Sequence, residues 1–122
     1  MNRSAPSDSP LPACPETPNC ERTARTYSVD ASALFAAAQR GLDALGPLEL
    51  QVRPKDRRAS AVYRVALLFK DDVDVAVEPS ADGSTLHVRS ASRVGHSDLG
   101  VNRRRVARFF RAVDEALDAA SD

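Results

Sequence analysis

Net charge, long apolar runs and metal-binding side chains are all scarce in this 122-residue chain. Lys+Arg and Asp+Glu both number 17, so no overall field draws the chain to nucleic acid or to an anionic membrane, and any electrostatic role must be local. The longest apolar stretch, around Val65 to Phe69, is far too short to span a bilayer. The opening residues, Met1 to Pro10, hold no apolar core for a signal sequence, so the chain as written reads as soluble and cytoplasmic. Leu11-Pro12-Ala13-Cys14 has the outline of a lipoprotein cleavage site, but Ser, Asp and Pro stand where an apolar segment should precede it. Two cysteines without a neighbouring histidine make a poor zinc set, and nothing in the sequence calls for a metal or a cofactor.

What is present is ordinary globular material, 43% hydrophobic and 28% charged, enough for one core in a single folding unit. Abundant Ala, and Arg favoured over Lys, suggest a bacterial genome rich in G and C. Residues 1–26 hold most of the prolines, both cysteines and no apolar periodicity, and read as an extended N-terminal arm outside the sheet. From Asp30 as N-cap, Leu34, Phe35, Ala38, Leu42 and Leu45 recur at helical spacing until Gly46-Pro47. Leu48, Leu50 and Val52 then alternate with polar residues, and Pro54-Lys55-Asp56 turns the chain. A second strand is expected from about Arg58 to Phe69, with Tyr63, Val65, Leu67 and Phe69 on one face. A third follows through Val73, Val75 and Val77, and turn residues around Asp82-Gly83 join it as a hairpin to a fourth carrying Leu86 and Val88. The stripe Val106, Phe109, Phe110, Val113, Leu117 and Ala120 predicts a closing helix, with Ser97 or Asp98 as its cap. The expected fold over residues 27–122 is α+β: a four-stranded antiparallel sheet with two helices on one face, order α-β-β-β-β-α, behind the arm.

Three blocks carry a family resemblance: Cys14-Pro15-Glu16-Thr17-Pro18-Asn19-Cys20, then Asp71-Asp72-Val73, then the long run from Arg89 to Arg103. In these the chain resembles the domain of unknown function 1499 family. The resemblance implies a bacterial and plastid family, often linked to membranes or the cell envelope, with no established activity, and it makes the envelope the alternative location. The family's second cysteine usually precedes a Val-Ser-Ser-like stretch; here Glu21-Arg22-Thr23 follows.

The spacing of Cys14 and Cys20 suits a disulfide closed by a tight turn, with free thiols or a metal or redox role as alternatives. The segment Arg89 to Arg105 joins a strand end to a helix N-terminus, a place where free N–H groups and the helix dipole attract negative charge. Arg89, Ser90, Ser92, Arg93, Ser97, Asn102, Arg103 and Arg105 are therefore the candidate anion-binding residues, for a small anion or an acidic protein or lipid group. The structural reading of the same residues has Asp98 capping the helix and the arginines pairing with Asp71 and Asp72. Asp74 is expected opposite Arg89 as a cross-strand pair, and Asp72 and Asp74 share a face opposite to Asp71. His87 is expected to face solvent. The closing helix carries Arg103, Arg104, Arg105, Arg108 and Arg111 before Asp114, Glu115 and Asp118, the reverse of what the dipole prefers, with Arg111 to Glu115 as the expected pair. That basic run is short, ends in acid and has no interleaved aromatic platform, which disfavours nucleic acid. The sequence thus points to a non-enzymatic binding or interaction domain; the alternative is a small enzyme using the Ser, His, Asp and Arg side chains of the same turn, such as Ser92, His96 and Asp98.

Overall fold

The computed structural model describes residues 3–4 (backbone only), 9–16, 19–66, 69–93 and 100–121. Strands β1 (Arg3–Ser4) and β2 (Cys20–Tyr27) lead into helix α1 (Ala31–Ala44). Strands β3 (Glu49–Arg53), β4 (Arg58–Val65), β5 (Phe69–Ser80) and β6 (Gly83–Ser92) follow, and helix α2 (Val101–Ala120) closes the fold. The strands form one antiparallel sheet in the order β1-β2-β6-β5-β4-β3, five full strands edged by the two-residue β1.

The local signals act where the sequence places them. Asp30 caps α1 by accepting the Ala33 N–H at 2.8 Å, which satisfies one of the helix's orphan donors. Gly46 ends it with a φ of 73°. Pro54–Asp56 forms a single 3-10 turn between β3 and β4, closed by Arg57 in the left-handed region. Ala81 and Asp82 make the tight turn between β5 and β6, whose register sets Val75 against Val88. Leu34, Leu42, Val73, Val75, Leu86, Val88, Phe109, Phe110 and Val113 are completely enclosed between the two helices and one face of the sheet. The helices cross at Gly41, where a Cβ would meet Val113 at 3.0 Å and Phe109 at 3.1 Å, a tight fit that those side chains would have to yield to.

Three expectations fail, each for a physical reason. The sheet has a fifth full strand, because Cys20–Tyr27 leaves the arm and pairs along its whole length with β6. Its helix-side positions are Thr23, Arg25 and Tyr27, which carry no apolar alternation. They are covered through their stems and rings: the Arg25 guanidinium lies 4.0 Å over the Phe110 ring, and Tyr27 donates its hydroxyl proton to Asp114 at 3.0 Å. The expected strand from Arg58 to Phe69 is two strands: it turns at Ala66, and Phe69 opens β5 opposite Val65. Leu67 and Leu68 lie outside the described residues. Finally, the middle of the sheet's second face is covered. Leu11 of the arm is 4% exposed, and Ala24, Ala76 and His87 are buried with it on that side.

Candidate functional site

Strand alternation divides the predicted anion site before any side chain is placed. Ser90 and Ser92 share the helix-side face with Val88, whereas Arg89 points to the opposite side, so two neighbours in sequence serve different surfaces. On the helix side, Asn102 and Arg105 of α2 meet β5 and β6 in a closed polar joint. Arg105 donates from Nη1 to the Asp71 carboxylate at 2.6 Å, to the Ser90 Oγ at 3.2 Å and to the Asn102 Oδ1 at 3.0 Å. Ser90 donates its hydroxyl proton to Asn102 Oδ1. The Asn102 amide donates in turn to Ser92 Oγ and to the Asn19 carbonyl, both at 3.0 Å. The same carbonyl accepts the Ser92 N–H at 3.0 Å, so the turn before β2 is tied to the end of β6 and to α2.

The burial of this joint decides its role. The side chains of Arg105 and Asp71 are 6% and 2% exposed, and the ring of Tyr63 lies 5.3 Å from the guanidinium carbon. A desolvated charge pair survives only when its remaining donors and acceptors find partners. Here Ser90, Ser92, Asn102 and a main-chain carbonyl supply them, which consumes the groups that were expected to receive an anion. Tyr63 donates its hydroxyl proton to the Leu42 carbonyl, and burial raises its pKa far above the ordinary tyrosine value.

The remaining predicted residues are scattered. Arg93 forms two 2.9 Å hydrogen bonds to Asp72 at the surface, and this contact raises its pKa. Arg103 is exposed on α2. Ser97 and Asp98, with Gly95 and His96, lie outside the described residues. The N-cap position of α2 is Gly100 in the left-handed region, not Ser97 or Asp98. Asp74 does lie opposite Arg89 in register, yet the two form no ion pair: Asp74 accepts the Ser60 hydroxyl proton at 2.7 Å, while Arg89 reaches for the arm. Nor do Arg111 and Glu115 pair; the acid of that turn with partners is Asp114, bound by Tyr27 and, at 3.4 Å, by Arg25. His87 is not at the surface: it is 3% exposed and its Nε2 lies 3.0 Å from Glu78. No signal within β6 could have indicated that burial, because the cover comes from the distant arm.

That cover is a strap. Cys14 and Cys20 are joined by a disulfide, so Cys14 carries no free thiol. Three arginines from three strands hold the segment beyond it by its main-chain carbonyls: Arg22 donates to Leu11 at 2.9 Å, Arg58 to Pro10 at 3.2 Å and Arg89 to Ala13 at 3.5 Å. A proline-rich segment makes few hydrogen bonds of its own and leaves its carbonyls available for such donors.

Helix α2 carries an exposed charged surface of a single sign. Arg104, Arg108 and Arg111 recur at helical spacing and line a shallow groove with Val101 and Ala107, with Arg103 beside them. A Cβ at Gly100 would lie 3.0 Å from Arg104 Nη1 and 3.7 Å from Arg103 Nη2, so both guanidinium groups reach back toward the start of the helix. Among the described residues no helix is long and apolar enough to cross a membrane, and no cluster of metal-ligating side chains occurs.

A family model described as "Protein of unknown function (DUF1499)" matches residues 10–113. Among solved structures, protein MLL2253 from Mesorhizobium loti superposes with a TM-score of 0.60 at 12% identity, covering 82% of this chain and 97% of its own. Protein CV1439 from Chromobacterium violaceum gives a TM-score of 0.58 at 12% identity, covering 83% and 96%. At that identity the likeness concerns the fold. No curated protein matches the chain.

Proposed function

The chain belongs to the DUF1499 family of proteins of unknown function, and we propose that it is a non-enzymatic recognition domain whose arginine face on α2 engages an acidic partner surface. The observation that carries this reading is the stripe of Arg104, Arg108 and Arg111, exposed on a chain with no net charge. A basic stripe on a neutral protein steers and orients an acidic partner without attracting anions to the whole molecule. The apolar floor of Val101 and Ala107 gives the stems of those arginines a surface to lie on, which strengthens a charged contact by excluding water. The predicted turn supports this shift of the site outward. Its hydroxyls and amide are spent on one another, so the polar groups best placed to hold an anion at the strand end already hold the fold. The two described serines of that turn, Ser90 and Ser92, are engaged with the Asn102 amide.

The test is binding of poly-glutamate, a plain acidic probe, followed as salt is raised. Binding that weakens steeply with salt, and falls about tenfold or more in Arg104→Ala/Arg108→Ala with the melting temperature unchanged, supports the reading. Equal binding by that variant sinks it.

A further inference from the structure

The face beneath the strap has an arrangement that a purely structural contact does not need. Arg22 and Arg89 are direct cross-strand partners on that face. Side chains so placed stand about 5 Å apart at their Cβ atoms, and like charges there repel. Neutral carbonyls, of Leu11 and Ala13, are what their terminal nitrogens receive. The nearest acid in register, Asp74, is turned to Ser60, and Glu78 is taken by His87. Two nitrogens under the strap, Arg89 Nε and His87 Nδ1, are buried without a hydrogen-bond partner. A buried donor left unpaired costs more than a typical hydrogen bond contributes, so the strap is an imperfect occupant of this surface. Beside Pro10 lies an open groove of about 780 Å³, lined also by Arg53, Arg58 and Glu78.

We propose that this face is a cryptic oxyanion-binding surface centred on Arg22 and Arg89, covered by the disulfide-held strap and uncovered when Cys14–Cys20 is reduced. A carboxylate or phosphate oxygen would accept from both guanidinium groups and relieve their repulsion, which a neutral carbonyl does only weakly. The disulfide sets the balance by holding the arm at high effective concentration over the face. Reduction is a thiol–disulfide exchange with a dithiol: its two thiols give two electrons and two protons to the Cys14–Cys20 bond, and the dithiol closes to a disulfide as two cysteine thiols form. The strap is then held by its chain connection to β2 and by the short β1 pairing at its other end, and between these an anion competes with three carbonyl contacts instead of a covalent clamp.

The experiment titrates inorganic phosphate into the full chain at constant ionic strength, oxidised and in a dithiol reductant, with calorimetric or phosphorus-resonance detection. The expected result is an affinity at least tenfold higher in the reduced chain, abolished by Arg22→Gln or Arg89→Gln and kept by Lys55→Gln. Leu11→Ser in the oxidised protein, which loosens the strap without touching the disulfide or adding charge, should raise affinity in the same direction and replaces the reduced sample if that sample unfolds. Equal phosphate affinity in both redox states overturns the cover. Binding that survives both Arg22→Gln and Arg89→Gln overturns the site, as does absence of binding in the reduced and Leu11→Ser chains alike. Loss of binding in Arg108→Gln with retention in Arg22→Gln would place phosphate on α2 and overturn this inference while leaving the recognition reading intact.

Discussion

The two faces of the sheet use arginine in opposite ways. On the helix side, Arg105 is sealed against Asp71 in a joint whose polar partners are complete. On the strap side, Arg22, Arg58 and Arg89 hold neutral carbonyls, and a guanidinium and an imidazole nitrogen are left unpaired. The difference teaches that an arginine's partner, more than its depth, decides whether it is part of the fold or available for exchange. A buried carboxylate cannot be released without exposing two bare charges to a low dielectric, whereas a carbonyl can be given back to water at little cost.

The largest effect that can break this contrast is at Arg105. Arg105→Ala leaves Asp71 charged and buried, and should cost about 3 to 5 kcal/mol in denaturant unfolding; a loss under about 1 kcal/mol would mean the joint is not sealed. Next is Asn102→Ala, which removes the donor to Asn19 and Ser92 and should cost about 1 to 3 kcal/mol while leaving the oligomeric state unchanged. Gly41→Ala sharpens the comparison from the side of packing, since its methyl would press on Val113 and Phe109 and should destabilise by about 1 to 3 kcal/mol. The disulfide closes only a short loop, so its reduction should cost about 2 kcal/mol by the chain-entropy model. Arg93→Ala, at an exposed pair with Asp72, should move the melting temperature least of all.

Alkaline pH probes the helix side independently. Tyr27 and Tyr63 are the only tyrosines, and burial raises both pKa values above the ordinary 10.0, with the hydrogen bond to Asp114 adding to the shift at Tyr27. The unfolded chain releases these protons first as pH climbs past 10, so stability is full below that point and falls above it. Phenolate absorbance should therefore appear together with unfolding; ionisation of either ring in the folded protein would contradict the burial.

Much of this was legible in the sequence. The alternation of Val73, Val75 and Val77 fixed the faces of β5, and with them the separation of Asp71 from Asp72 and Asp74; the pairing of the arginines with Asp71 and Asp72 followed from charge alone. The strand β2 was not legible, because a strand whose inner face is Thr23, Arg25 and Tyr27 shows no period-two apolar signal. The burial of His87 and the recruitment of Arg89 away from Asp74 were hidden for another reason. Both depend on a strap some 75 positions earlier in the chain, and no local pattern encodes a contact of that range.

The joint belongs to the fold and the strap does not. Amide hydrogen exchange of the oxidised and the reduced protein tests it in one comparison. Reduction should speed exchange in residues 9–16 while β5, β6 and α2 keep their protection. Loss of protection throughout the sheet and α2 on reduction, or no change in residues 9–16, would contradict it.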